Sequence, residues 1–147
     1  MKSSHKRFFS ALLTICVLSS FFCTAASAAT VRSSDYLDSY VAGVTAESDG
    51  MIVVSAQVNA IINATKIGVS DVYIYESSDD IHFTCVEHYN YEDYPEMMGS
   101  GRHFNRDVVF YEGTPGKYYY AAVYVYAGNS TGGDTRSYDT ASERAFS

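Results

Sequence analysis

Between positions 118 and 126 the chain reads Tyr-Tyr-Tyr-Ala-Ala-Val-Tyr-Val-Tyr, so that Tyr119, Ala121, Val123 and Val125 alternate with Tyr118, Tyr120, Tyr124 and Tyr126. A period of two is the period of a pleated strand, whereas on a helix the same residues would scatter around the cylinder. The pattern recurs. Ile52, Val54, Ala56, Val58 and Ala60 alternate with Val53, Ser55, Gln57 and Asn59, and Val72 and Ile74 with Tyr73 and Tyr75. Ile81, Phe83 and Cys85 alternate with His82, Thr84 and Val86. Alternation of this length marks half-buried strands. Composition agrees: beyond residue 28, Leu37 is the only leucine, against 13 Val, 6 Ile and 14 Tyr. Pleated surfaces favour β-branched and aromatic side chains, while helices favour Leu, Met, Glu and Lys.

The segment before these strands has a different character. Met1 to Arg7 is cationic, Phe8 to Phe22 is largely apolar, and Ala26-Ser27-Ala28 offers small side chains where a signal peptidase needs them. Residues 1–28 are therefore expected to be a signal peptide, cleaved after Ala28 or alternatively after Ala29. A retained membrane anchor is the competing reading, and the shortness of the apolar run argues against it. A lipoprotein is disfavoured because Phe21-Phe22 precedes Cys23, and Ile15 precedes Cys16, where a lipobox needs small residues. The expected product is secreted.

Three of the ten basic residues would leave with the leader while all 17 acidic ones stay, for a net charge of −10. Such a surface repels phosphate backbones and anionic lipid, so neither nucleic acid nor membrane is an expected partner of the mature chain. Cys85 alone would survive cleavage, and one thiol makes no internal disulfide. Residues 29–147 must then hold together by burial, which a single domain of this length achieves by removing roughly two-thirds of its surface from water. Asn63-Ala64-Thr65 and Asn129-Ser130-Thr131 fit sequons on exposed loops, and an exported bacterial chain would carry no sugar there.

Turn-like stretches at Ser48-Asp49-Gly50, Ser77-Ser78-Asp79-Asp80 and Gly128 to Gly133 divide the chain into about seven expected strands, at 39–46, 51–60, 72–77, 81–89, 104–111, 117–127 and 134–145. Two packed antiparallel sheets are the expected architecture, with a small closed barrel as the runner-up.

Glu112-Gly113-Thr114-Pro115-Gly116-Lys117-Tyr118-Tyr119 resembles the approach to the sixth strand of a fibronectin type III or related immunoglobulin-like sandwich. The resemblance implies that the Tyr119 hydroxyl closes the corner while its ring packs inward. The Trp usual on the third strand is absent. Over nearly all of residues 32–146 the chain is similar to a family of small exported Gram-positive proteins classed as a domain of unknown function. Lys66-Ile67-Gly68-Val69-Ser70, Val72-Tyr73-Ile74-Tyr75-Glu76-Ser77, Met97-Met98-Gly99 and Gly116-Lys117-Tyr118-Tyr119-Tyr120-Ala121 carry that likeness. It implies secretion and a sandwich, and it supplies no activity and no catalytic residue.

The chemistry of the remaining residues is sparse. His82 and His88 lie six apart on one strand face, about 20 Å along an extended chain, too far to share a zinc ion. His103 lies in another segment. Asp79-Asp80 and Glu92, Asp93 and Glu96 lack the alternating oxygens and glycine of a calcium loop and read as solvated turns. Cys85 shares parity with Ile81 and Phe83, so its thiol is expected in the core and inert. Gly99-Ser100-Gly101 is no nucleophile elbow. No pair of carboxylates is placed to face each other across a cleft, as a glycosidase requires. No catalytic residue, metal ligand or cofactor site is therefore assigned, and a small secreted hydrolase is the least favoured reading.

What stands out is the tyrosine face. If Val72, Ile74, Val123 and Val125 point inward, Tyr73, Tyr75, Tyr118, Tyr120, Tyr124 and Tyr126 point outward. Adjacent strands would gather them into an aromatic plate with hydroxyl tips, flanked by His82 and His88. Such a plate can stack on sugar rings or anchor a protein. The expected function is a secreted, non-catalytic binding module for glycan, wall polymer or protein. The competing readings are a structural or self-associating protein, and tyrosine pairs that merely stabilise an exposed sheet.

Overall fold

A computed structural model describes residues 34–147. The expected signal peptide at 1–28 and its cleavage site lie outside the described residues. The described chain is all-β and contains no α-helix, hence no helix long and apolar enough to cross a membrane. Its strands are β1 (Leu37–Ala46), β2 (Met51–Ser77), β3 (Thr84–Asn90), β4 (Met98–Glu112), β5 (Tyr118–Asn129), β6 (Gly132–Asp139) and β7 (Glu143–Arg144). Single 3₁₀ turns at Ser48–Gly50 and Pro95–Met97 precede β2 and β4.

All seven strands belong to one antiparallel sheet organised around β2. Along one edge of β2, β1 pairs with its first part (Ile52 to Ala60) and β5 with its last (Lys66 to Ser77). Along the other edge, β4 pairs between Met51 and Gly68, and β3 between Asp71 and Glu76. β6 continues outward from β5, and the two residues of β7 pair with Tyr118 and Tyr119. The sheet curls on itself along β2 and brings β1 against β5, β6 and β7.

Inside the curl lie the aliphatic residues of the alternating runs. Ile52, Val54 and Val58 from the first part of β2, Val72 and Ile74 from its last, and Val123 and Val125 from β5 are fully buried. Each such side chain contributes roughly 1.5–3 kcal/mol of transfer free energy. No disulfide is present among the described residues, so this burial holds the sheet together.

The expected strands at 51–60 and 72–77 are one strand, and the two separate sheets of the sequence reading are one continuous sheet. The reason lies in the parity of buried residues along β2. Val54, Ala56, Val58, Ala60 and Ala64 are buried at even positions, Ile67 and Val69 at odd ones, and Val72 and Ile74 at even ones again. The register with β4 shifts between Asn59 and Ala64 and between Ala64 and Ile67, and that with β5 between Val69 and Asp71. The last two of these, between Ala64 and Ile67 and between Val69 and Asp71, coincide with the two slips in the alternation, so a strand that curves without ending has no continuous period of two.

Other boundaries move less. Strand β4 begins six residues before the expected 104, at Met98, and the expected strand at 134–145 is interrupted after Asp139 by buried Thr140. The Thr140 hydroxyl accepts from the Ala121 N–H at 3.0 Å and so stands in for a strand partner there.

Strand β3 departs most from expectation. It begins at Thr84, leaves Ile81 three-quarters exposed, and exposes Cys85 rather than burying it. Tyr73 faces His88, Ile74 faces Glu87, and Tyr75 faces Cys85, which leaves Val86 as the extra residue of a bulge. That residue inverts the parity of the strand before it, so Cys85 and His88 both neighbour outward tyrosines. Among the described strands β3 pairs with β2 alone and has no neighbour on its other edge.

Candidate functional site

The outward residues of β2, β3 and β5 assemble the tyrosine face. Register places Tyr75 opposite Tyr120, Tyr73 opposite Ala122, and Asp71 opposite Tyr124. The Tyr75 and Tyr120 rings stack in parallel, with centroids 4.7 Å apart and planes 2° apart. Tyr73 stacks on the His88 imidazole at 4.1 Å and 7°, and meets Tyr124 edge-on at 5.9 Å. Phe83 closes the other end, edge-on to Tyr120 at 4.8 Å. Tyr73, Tyr75, Tyr120 and Tyr124 therefore form the plate proper, extended by His88 and Phe83. Their mutual packing leaves Tyr124 the most exposed of the four, at 37 %.

The remaining two tyrosines sit at the margins and are engaged in the fold. Tyr118 lies under the Arg144 guanidinium, 5.8 Å from its ring centroid. Tyr126 lies over the strand connection: a Cβ added at Gly128 or at Gly133 would come within 2.3 Å of its hydroxyl. Two glycines thus make room for one phenol, a packing that stabilises the β5–β6 hairpin.

Charge is arranged around the plate. The Asp71 carboxylate lies 3.0 Å from Nε2 of His88 and orients the imidazole against Tyr73. Partial burial, followed by the neighbouring Asp71 carboxylate, pushes the Tyr73 phenol above its ordinary pKa. Burial, the stacked Tyr75 and the Asp139 carboxylate do the same for Tyr120. Both phenols stay protonated and able to donate hydrogen bonds at neutral pH.

The histidines are not brought together. His82 lies in the turn after β2, its Nδ1 2.7 Å from the Asp79 carboxylate, and does not join the plate. His103 is hydrogen-bonded to Asn59, in the pairing of β4 with the first part of β2. Among the described residues no group of three or more His, Cys, Asp or Glu side chains is placed to hold a metal. The acidic stretches close turns. Asp79 accepts from the backbone N–H of His82 and Ile81 and from the Ser77 hydroxyl. Those donors, the His82 N–H foremost and the His82 ring next, hold its carboxyl well below the usual range. Asn90 accepts from the N–H groups of Glu92 and Asp93 in the same manner.

A second polar cluster lies at the inward end of the sheet. Pro115-Gly116 forms the expected turn, with Gly116 at φ +92° and the Lys117 N–H donating to the Thr114 carbonyl. These are the features of a type II turn, whose third position favours glycine. Tyr119 is fully buried, accepts from the Thr114 N–H at 2.8 Å and donates to Glu76 Oε2 at 2.6 Å. The Glu76 carboxylate also takes the Lys117 ammonium. Lys117, then the Tyr119 hydroxyl, hold the Glu76 carboxyl below its ordinary range against the opposing effect of burial. Glu76 was not among the residues singled out by sequence, although it shares parity with inward Val72 and Ile74, and a carboxylate at such a position calls for a partner.

Comparison with protein-family models, with curated proteins and with solved structures yields no match for this chain.

Proposed function

We propose that this chain is a secreted, non-catalytic binding module whose tyrosine plate receives a glycan, a wall polymer or a protein. The observation that carries the reading is the parallel stack of Tyr75 on Tyr120, continued beside it by Tyr73, His88 and Tyr124 on one outward face. Rings already packed against their neighbours lose little conformational freedom on binding, and their hydroxyls supply directional contacts around an apolar surface. Export is supported by the cationic, apolar and small-residue segments of residues 1–28.

The same proposal takes the fold as an immunoglobulin-like, fibronectin type III-like sandwich in which the two parts of β2 serve opposite layers. Support comes from β2 exchanging β1 for β5 along one edge, and from the Tyr119 hydroxyl tying the corner to Thr114. Both features suit the exported family that the sequence resembles.

Replacing Tyr75 and Tyr124 together with serine is expected to reduce retention of the mature protein on a cell-wall or host-surface preparation about tenfold or more, with the thermal unfolding curve still cooperative. Retention equal to wild type would contradict the reading. A concentration-dependent dimer in sedimentation that disappears in the same double variant would instead make the plate a contact between copies.

A further inference from the structure

Beyond Tyr120 the plate ends in a recess of its own. The turn after β2, strand β5 and the exit from β6 meet there, and Asp80, Phe83, Tyr120, Asp139, Thr140 and Ser142 line an open cavity of about 320 Å³. Phe83 and Tyr120 meet with their planes 77° apart, so two differently oriented aromatic rings border it. Two carboxylates border it as well. The Ser142 hydroxyl donates to Asp80 Oδ1 at 2.6 Å and fixes that side chain against the segment following β6. Asp139 lies opposite Ala122, beside Tyr120 on the outward face.

The charge has one sign. Among the described residues no lysine or arginine lines the recess. Residues 34–147 carry 17 acidic side chains against six basic ones. The two basic residues flanking this end of β5 are committed elsewhere: Lys117 pairs with Glu76, and Arg144 donates to the Gly116 carbonyl and lies over Tyr118. Aromatic faces carry negative quadrupole density and attract cations, and carboxylates accept charge-assisted hydrogen bonds from ammonium and guanidinium groups. Rings and carboxylates here line the same recess.

We propose that this recess seats the cationic head of a lysine or arginine side chain, presented by a protein partner laid along the tyrosine plate. The inference rests on the plate being a binding face, and it narrows the partner to a basic protein surface. Polymers bearing phosphate or carboxylate groups meet the wrong sign of charge at this end of the plate.

The test is a titration of ¹⁵N-labelled mature protein with N-acetyl-arginine N-methylamide and its lysine counterpart, using the neutral citrulline compound as control. Either cation is expected to shift the amides of Phe83, Tyr120, Asp139 and Thr140 saturably, with the citrulline compound leaving them unmoved. Combining Asp80→Asn with Asp139→Asn should weaken the response about fivefold or more. Asn tolerates the left-handed φ of +60° at position 80, and Asp139→Asn alone, at an exposed site, gives a smaller loss in the same direction. Equal shifts with citrulline, no saturable shift with either cation, or an unchanged response in the Asp variants would each overturn the proposal. So would tetramethylammonium saturating these amides while arginine and lysine do not. Surface retention that depends on Tyr75 and Tyr124, together with no response to the cations, would leave the plate a binding face and remove the basic partner.

Discussion

Gly68→Ala is expected to destabilise the fold by about 3 kcal/mol or more. Gly68 has φ +149°, a conformation that side chains rarely adopt. A Cβ there would lie 2.4 Å from the Met97 carbonyl oxygen and 3.1 Å from both the Met98 Cα and the Phe104 ring. The obstruction is largely backbone, which cannot swing aside as a flexible side chain can. The site is also where β2 pairs with β4 on one edge and β5 on the other, Gly68 facing Met98 and Tyr126. Relief of the clash would therefore disturb both pairings. Urea unfolding followed by far-ultraviolet circular dichroism measures the loss. Gly43→Ala is the control: its Cβ would meet nothing closer than the Ser55 hydroxyl at 3.9 Å, and its stability should stay within about 0.5 kcal/mol of wild type. Near-equal midpoints for the two variants would contradict this account of the bend in β2.

Tyr119→Phe is expected to cost about 2 kcal/mol at neutral pH, because the ring stays buried while the hydroxyl that joins Thr114 to Glu76 is lost. The pH dependence follows from Glu76. Its folded pKa lies below the unfolded one, so its contribution is present above the ordinary carboxylate range and is lost as pH falls through the folded value. Once Glu76 is protonated, the hydroxyl no longer donates to a charged acceptor. The gap between wild type and Tyr119→Phe should therefore narrow in acid, and Glu76→Gln should flatten the acid limb of the stability curve. Urea midpoints measured at neutral and acid pH decide it. A gap that stays constant would mean that the Tyr119 hydroxyl draws nothing from the Glu76 charge.

Much of this fold is legible in residue order because β5 obeys a strict alternation: Val123 and Val125 are buried while Tyr120, Tyr124 and Tyr126 face outward. The turn at Pro115-Gly116 and the inward Tyr119 are equally local signals, since the backbone geometry and the hydroxyl partner lie within a few residues. What sequence alone could not carry is the extra residue. Residues 61–71 look like a connection only because the parity of β2 slips twice, and Val86 moves Cys85 from its expected core position to the face beside Tyr75. Bulges answer to pairing partners distant in the chain, and a pattern of period two read on one strand has no access to them. The same limit hid the recess at Asp80, Phe83, Tyr120 and Asp139, whose residues come from three separate segments.

Aliphatics fill the curl while the phenols of β2 and β5 stand outside it, with Tyr119 the exception among the tyrosines of β5. Chemical nitration of the native protein by tetranitromethane, followed site by site with mass spectrometry, addresses it directly. Tyr124, at 37 % exposure, should be nitrated early, and Tyr119, fully buried, last and only as the protein unfolds. Nitration of Tyr119 ahead of Tyr124 in the folded protein would place the wrong side of β5 in water and contradict the account.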